Sequence, residues 1–205
     1  AYGSDLFAAK RARPGNDLVS EVAVADPPLS PVEEQAFFAL LFTAGSETTR
    51  NSIAGGLLAL AERPAEWRRL RSDRSLLPTA LEEILRWTSA TAYNRRTATV
   101  DTDLGGRSVR AGQKVTHWYP SANRDEAVFD DPFRFDVGRS PNPHLAFGHG
   151  VHHCLGATLA RREVAIVLDA VLDRVAELVP TGDVEWGRSN KHTAIRHLPL
   201  RLLPA

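Results

Sequence analysis

The sequence predicts a mainly helical fold with a minor β region, and three observations carry that prediction. A helix-start signal at Ser30-Pro31 opens a run that meets no further proline until Pro64. Thr and Val alternate with polar residues between positions 95 and 120, the period of a half-buried strand. The stretch from Leu155 to Leu178 is rich in Ala, Val and Leu at helical spacing.

Taken in order, residues 1–30 read as short, broken segments, with a turn through Pro14-Gly15 and a short helix over Asp17 to Ala25. Ser30-Pro31-Val32-Glu33 places an N-cap hydroxyl, a proline at the first helical position and a glutamate that can bond back to the cap. The helix it opens extends to about Glu62, and its apolar residues lie nearly all round, the mark of a central, buried helix. Pro64 to Ser72 and Pro78 to Trp87 read as two further helices, the second with an apolar stripe at Leu81, Ile84 and Leu85. Short strands follow over 95–120, with turns at Gly105-Gly106 and Ala111-Gly112. Residues 121–150, rich in Asn, Asp, Pro and Gly, form an ordered loop. A helix spans Leu155 to Leu178, and Val184 to Leu203 makes a small hairpin.

The 205 residues suffice for one domain with a sizeable core. Lys plus Arg and Asp plus Glu number 25 each, so no global field points to nucleic acid or an anionic membrane. The most apolar stretch, Ala36 to Ala61, is interrupted by Ser46, Glu47, Arg50 and Asn51, so no membrane-spanning run is expected. A single cysteine excludes an internal disulfide and fits a reducing compartment, so the expected location is the cytoplasm. The chain contains no Met, not even at position 1, which suggests a fragment or a processed or trimmed chain.

That cysteine lies in the most informative segment, Phe147-Gly148-His149-Gly150-Val151-His152-His153-Cys154-Leu155-Gly156. Two glycines allow a tight turn and close approach to a flat partner. A following helix start would favour the thiolate over the thiol. Such a thiolate suits a large metal cofactor. Two other readings compete: an inert buried cysteine, and a zinc site using the neighbouring histidines.

The segment resembles the cysteine signature of the cytochromes P450, matching at Phe147, Gly148, Gly150, His152, Cys154 and Gly156. The resemblance implies haem b with Cys154 as the axial iron ligand, His152 donating to a haem propionate, and Phe147 packed beside the thiolate. His153 departs from the family, which usually has an apolar residue there.

Further segments resemble the same family in the same order. Ala44-Gly45-Ser46-Glu47-Thr48-Thr49 resembles its oxygen-binding groove. There Thr48 would hydrogen-bond dioxygen, Glu47 would relay protons and Gly45 would leave room; the plain reading is a solvated helix face. Glu83 and Arg86 look like the family's buried Glu-Arg pair, with Arg139 as third member, or else a surface ion pair. Arg96, rather than Arg95, matches the propionate-gripping arginine, against the reading of a solvated strand edge.

The resemblance runs from residue 12 to residue 203 and is closest to the soluble bacterial branch. It implies that residues 1–205 are the C-terminal, haem-binding half of a single P450 domain, with its long central helix, cysteine loop and haem-proximal helix, and with the N-terminal half absent. The implied activity is insertion of one oxygen atom of O2 into an apolar small molecule such as a sterol, terpenoid or fatty chain. Electrons would come from a ferredoxin or flavodoxin-type donor, steered by basic clusters at Arg68, Arg69, Arg71 and Arg74 and at Arg161-Arg162. Substrate would touch Leu40 to Thr48, Thr91 to Asn94 and Ser189 to His192, although Trp87-Thr88-Ser89-Ala90 lacks a proline usual in the family. The competing reading is a non-catalytic haem-binding chain.

Overall fold

The computed structural model describes residues 2–205. The chain divides into two compact units, one ending at Glu47 and the other running from Thr48 to Ala205.

The first unit contains α1 (Tyr2–Ala12), α2 (Leu18–Ala23) and the opening turns of α3 (Pro31–Ala61). Helix α1 replaces the broken segment expected there. Phe7 supplies its buried anchor, and Arg11 ties it to α2 and α3 by bonding to the Ala23 carbonyl and the Glu34 carboxylate. Asp17 caps α2, accepting the Ser20 backbone N–H at 3.0 Å and Lys10 Nζ at 2.6 Å. The capping box of α3 forms as its spacing predicts: Glu33 accepts the Ser30 backbone N–H at 2.8 Å, and Glu33 N–H reaches Ser30 Oγ at 3.3 Å.

The second unit holds the rest of α3, α4 (Pro64–Ser72), α5 (Leu77–Thr88), β1 (Tyr93–Thr97), β2 (Thr102–Leu104), β3 (Arg107–Val109), β4 (Lys114–Trp118), α6 (Tyr119–Ala122), α7 (Ala157–Arg174), β5 (Val175–Pro180), β6 (Glu185–Trp186), β7 (Ile195–His197) and β8 (Leu200–Pro204). The strands pair antiparallel as β1 with β4, β2 with β3, β5 with β8 and β6 with β7. Its core gathers Leu60, Trp67, Leu70, Ile84, Leu168 and Leu172 from α3, α4, α5 and α7. The buried Trp67 indole donates to the Ala176 carbonyl at 2.8 Å, so its burial leaves no orphan donor. Gly55 and Gly56 let α3 meet α5 closely: a Cβ on either would stand 2.6 Å from Thr88 Cγ2 or Ile84 Cγ2.

Three further expectations are corrected. Helix α3 is not buried along its length. Asn51, Ser52 and Ala59 to Ala61 are buried, but Leu40 and Phe42 are 65% and 71% exposed. An all-round apolar helix needs cover on every side, and the described residues supply it only over the last third. Helix α7 stops at Arg174, and Val175 to Leu178 belong to β5. The tail is not one hairpin: β6 pairs with β7, whereas β8 returns to β5.

Candidate functional site

Gly148 and Gly150 sit at φ +72° and +67°, left-handed conformations that glycine adopts without the Cβ penalty. They turn the chain so that the Cys154 N–H returns to the Phe147 carbonyl at 2.9 Å. Between them and the cysteine, Gly150–His152 make one tight helical turn, closed by His153 N–H to the Gly150 carbonyl at 2.9 Å. Gly156 is the N-cap of α7, and Cys154 lies two residues before it, its carbonyl accepting the Ala157 N–H at 3.3 Å. The cysteine therefore stands in the loop ahead of the helix rather than at its first residue.

The Cys154 side chain is exposed, which overturns the inert buried cysteine. Around it Val151, Leu155 and Leu159 are 97%, 73% and 62% exposed, an apolar surface beside a soft ligand atom. No zinc cluster forms: among the described residues no three His, Cys, Asp or Glu side chains converge on a metal position. An added Cβ would meet nothing within 4 Å at Gly150 or Gly156. The loop thus presents a thiol in a clear, apolar, backbone-lined face.

Behind this face α5 is bolted to the segment 123–142 that leads into the loop. Glu83 and Arg86 are both 0% exposed and bond at 2.7 and 2.8 Å. Arg86 spends its remaining N–H groups on the carbonyls of Asn123, Pro132 and Arg134, so all five donors are matched. Arg139 Nε completes the triad 3.2 Å from Glu83, and Asn142 Nδ2 donates to the same carboxylate at 3.2 Å. This is a buried cluster, not a surface ion pair; every Arg86 donor is matched, while Arg139 Nε and Asn142 Oδ1 have no hydrogen-bond partner.

A second cluster was not visible in sequence. Glu82, next to Glu83 but half-exposed, receives Arg161 Nε and Nη2 at 2.6 and 3.0 Å and lies 2.8 Å from His144 Nε2. Its members are 62 and 79 positions from Glu82, and no local spacing announces such a group. The Arg161 guanidinium lies over the Phe147 ring, 4.6 Å from its centre.

Of the other predicted residues, Arg96 sits half-buried on β1 opposite Val115, while Arg95 points to the exposed face, so strand alternation separates the two. His152 is exposed at the end of its tight turn. Gly45, Glu47 and Thr48 lie on an uninterrupted stretch of α3, where Glu47 is exposed, Thr48 is half-buried, and the Thr48 carbonyl accepts Ser52 Oγ at 3.0 Å. Thr91–Asn94 and Ser189–His192 come together: Ala92 N–H bonds the Lys191 carbonyl at 2.8 Å, and Lys191 Nζ reaches the Tyr93 carbonyl and Asn94 Oδ1, each at 2.6 Å. The basic clusters are largely neutralised. Arg69 pairs with Asp136, Arg74 with Asp169 and Asp173, and Arg161 with Glu82.

No helix among the described residues is long and apolar enough to cross a membrane. Comparison with known proteins is consistent from end to end. The family model for cytochrome P450 matches residues 16–198. The Mycobacterium tuberculosis protein named cytochrome P450 126 is 54% identical over 98% of this chain and 50% of its own. The methyl-branched lipid omega-hydroxylase of the same species is 47% identical, over 98% of this chain and 48% of its own. The crystal structure of P450BioI, in complex with an acyl carrier protein bearing hexadec-9Z-enoic acid, superposes with a TM-score of 0.92 at 36% identity, covering 98% of this chain and 52% of that one. The chain spans about half the length of the curated relatives it matches. A family match over most of the chain, with the cysteine loop and the buried Glu-Arg-Arg cluster both formed, places this protein in the cytochrome P450 family.

Proposed function

We propose that this chain is the haem-binding part of a haem-thiolate monooxygenase that inserts one oxygen atom of O2 into a long apolar substrate. The observation that carries the reading is the exposed Cys154, held by the Phe147 carbonyl on a glycine-cleared, apolar loop. A flat, largely apolar macrocycle with one soft-ligand position fits that surface, and the absence of any Cβ neighbour at Gly150 and Gly156 leaves room for it.

In this reading Cys154 holds the iron, and Arg96 and His152 bind the propionates by charge-assisted hydrogen bonds. Bound haem supplies reductive activation of O2, assisted by electron density from the thiolate. The Thr48 hydroxyl holds a proton towards the oxygen, Glu47 passes protons to it, and Gly45 keeps that stretch of α3 clear. Thr91–Asn94 and the loop that Lys191 staples to them form part of the substrate wall. An apolar substrate is supported by the names of the relatives, one acting on methyl-branched lipids and one crystallised with a fatty acyl carrier protein. Two electrons come from a ferredoxin or flavodoxin-type donor. Pairing of Arg69, Arg74 and Arg161 leaves Arg68 and Arg162 as the cations best placed to steer it.

The test is the ferrous–carbon monoxide spectrum of the full-length, haem-loaded protein. A red-shifted Soret band that Cys154→Ser abolishes supports the reading, and an unshifted band unaffected by that change sinks it. Substrate turnover with a reductase and carrier separates a monooxygenase from a non-catalytic haem protein. Thr48→Ala should lower coupling and raise peroxide release, and unchanged coupling would count against the proton role.

A further inference from the structure

The buried Glu83–Arg86–Arg139 cluster bonds to residues 123–142, ahead of the cysteine loop. The Glu82 cluster is different, because it reaches the loop from both sides. Before the cysteine, His144 bonds Glu82 and accepts the Ala146 N–H at 3.2 Å. After the cysteine, Arg161 projects from the second turn of α7 to the same carboxylate. Arg161 also covers the Phe147 ring, and the Phe147 carbonyl receives the Cys154 N–H. One glutamate thus fixes both flanks of the thiolate loop, through the aromatic residue that touches it.

We propose that Arg161 is a positioning residue that sets a positive charge against the Phe147 ring of the Cys154 loop, and that Glu82 sets how much of that charge the sulphur feels. The proposal rests on Cys154 being the haem ligand and concerns tuning rather than catalysis by contact. Arg161 is held in its charged form mainly by the hydrogen bond to Glu82, against a smaller opposing effect of burial, with the charges of Glu82 and Cys154 adding to it. A cation near a thiolate disperses its electron density and favours the more negative, reduced state of the iron site. A neighbouring carboxylate offsets that cation. The two residues therefore act with opposite sign.

This makes a prediction that damage to the loop cannot imitate. In the full-length, haem-loaded protein, Arg161→Leu should lower the ferric–ferrous reduction potential and Glu82→Gln should raise it. Arg161→Lys, which keeps the charge, should stay near the parent value. Opposite shifts, with the thiolate-type carbon monoxide spectrum retained, support the proposal. Shifts in one direction only, or none, overturn it. If Arg161→Leu does not hold haem, Glu82→Gln decides alone: a rise supports the proposal, and a fall or no change removes it. A parent protein without the thiolate spectrum would refute the ligand reading itself and this proposal with it, a failure seen before any variant is compared.

Discussion

Two carboxylates adjacent in sequence lead different lives in this fold. Glu83 is sealed in the core with Arg86, every donor matched and no exposure. Glu82, one residue earlier and rotated about the helix axis, stays half-exposed and grips Arg161 and His144 at the cysteine loop. Glu83 fixes the scaffold, and Glu82 trims the loop it carries. The contrast shows how a P450 chain keeps residues 149–156 open to a partner surface while holding them in one geometry: the polar bonds that define the loop are made behind it.

The contrast breaks most sharply at Arg86. Arg86→Ala removes the two-pronged partner of the buried Glu83 carboxylate and should cost about 3–5 kcal/mol in urea unfolding, with Glu83→Ala in the same range. A loss below about 1 kcal/mol would show the cluster to be dispensable. Gly56→Ala is next. The added methyl would lie 2.6 Å from Ile84 Cγ2, and overpacking of this kind costs roughly 1–3 kcal/mol. Gly148→Ala imposes the left-handed penalty of about 1–2 kcal/mol on the loop, and should appear as faster proteolysis near residue 148.

Glu82 should reveal itself through acid rather than through a large stability change. Burial alone would raise its carboxyl, but hydrogen bonds with His144 and Arg161, and the Arg161 charge, outweigh burial and hold it at about 2 instead of 4.5. The unfolded chain takes up that proton first. The contribution is therefore complete above pH 4.5 and is lost as pH falls towards 2. Glu82→Gln should flatten the melting temperature across that window, and an unchanged slope would remove Glu82 from the acid response. The smallest effect is expected at Cys154→Ser, an exposed change that should leave stability of the haem-free protein within about 0.5 kcal/mol.

Much of the site was legible because its signals are local. The glycines of the loop, the capping box at Ser30 and the Glu83–Arg86 spacing each act within a few residues, and each forms in the structure as read. The strand boundary at Val175 was not legible. Burial along β5 recurs at Val175 and Leu178, a spacing of three created by the bulge between Val175 and Glu177, so the pattern imitates a helix. Only pairing with β8, some twenty-five positions on, decides for a strand.

The sequence by itself determined the family, the cysteine with its glycines and the order of α2, α3, α4, α5 and α7, because those depend on spacing along one segment. The tertiary structure decided that Glu82 joins Arg161 and His144, and that Arg69, Arg74 and Arg161 of the basic clusters are paired rather than free. Charges attract through space with no regard for separation along the chain, so a group whose partner lies many tens of residues away shows its role only once folding has brought the two together.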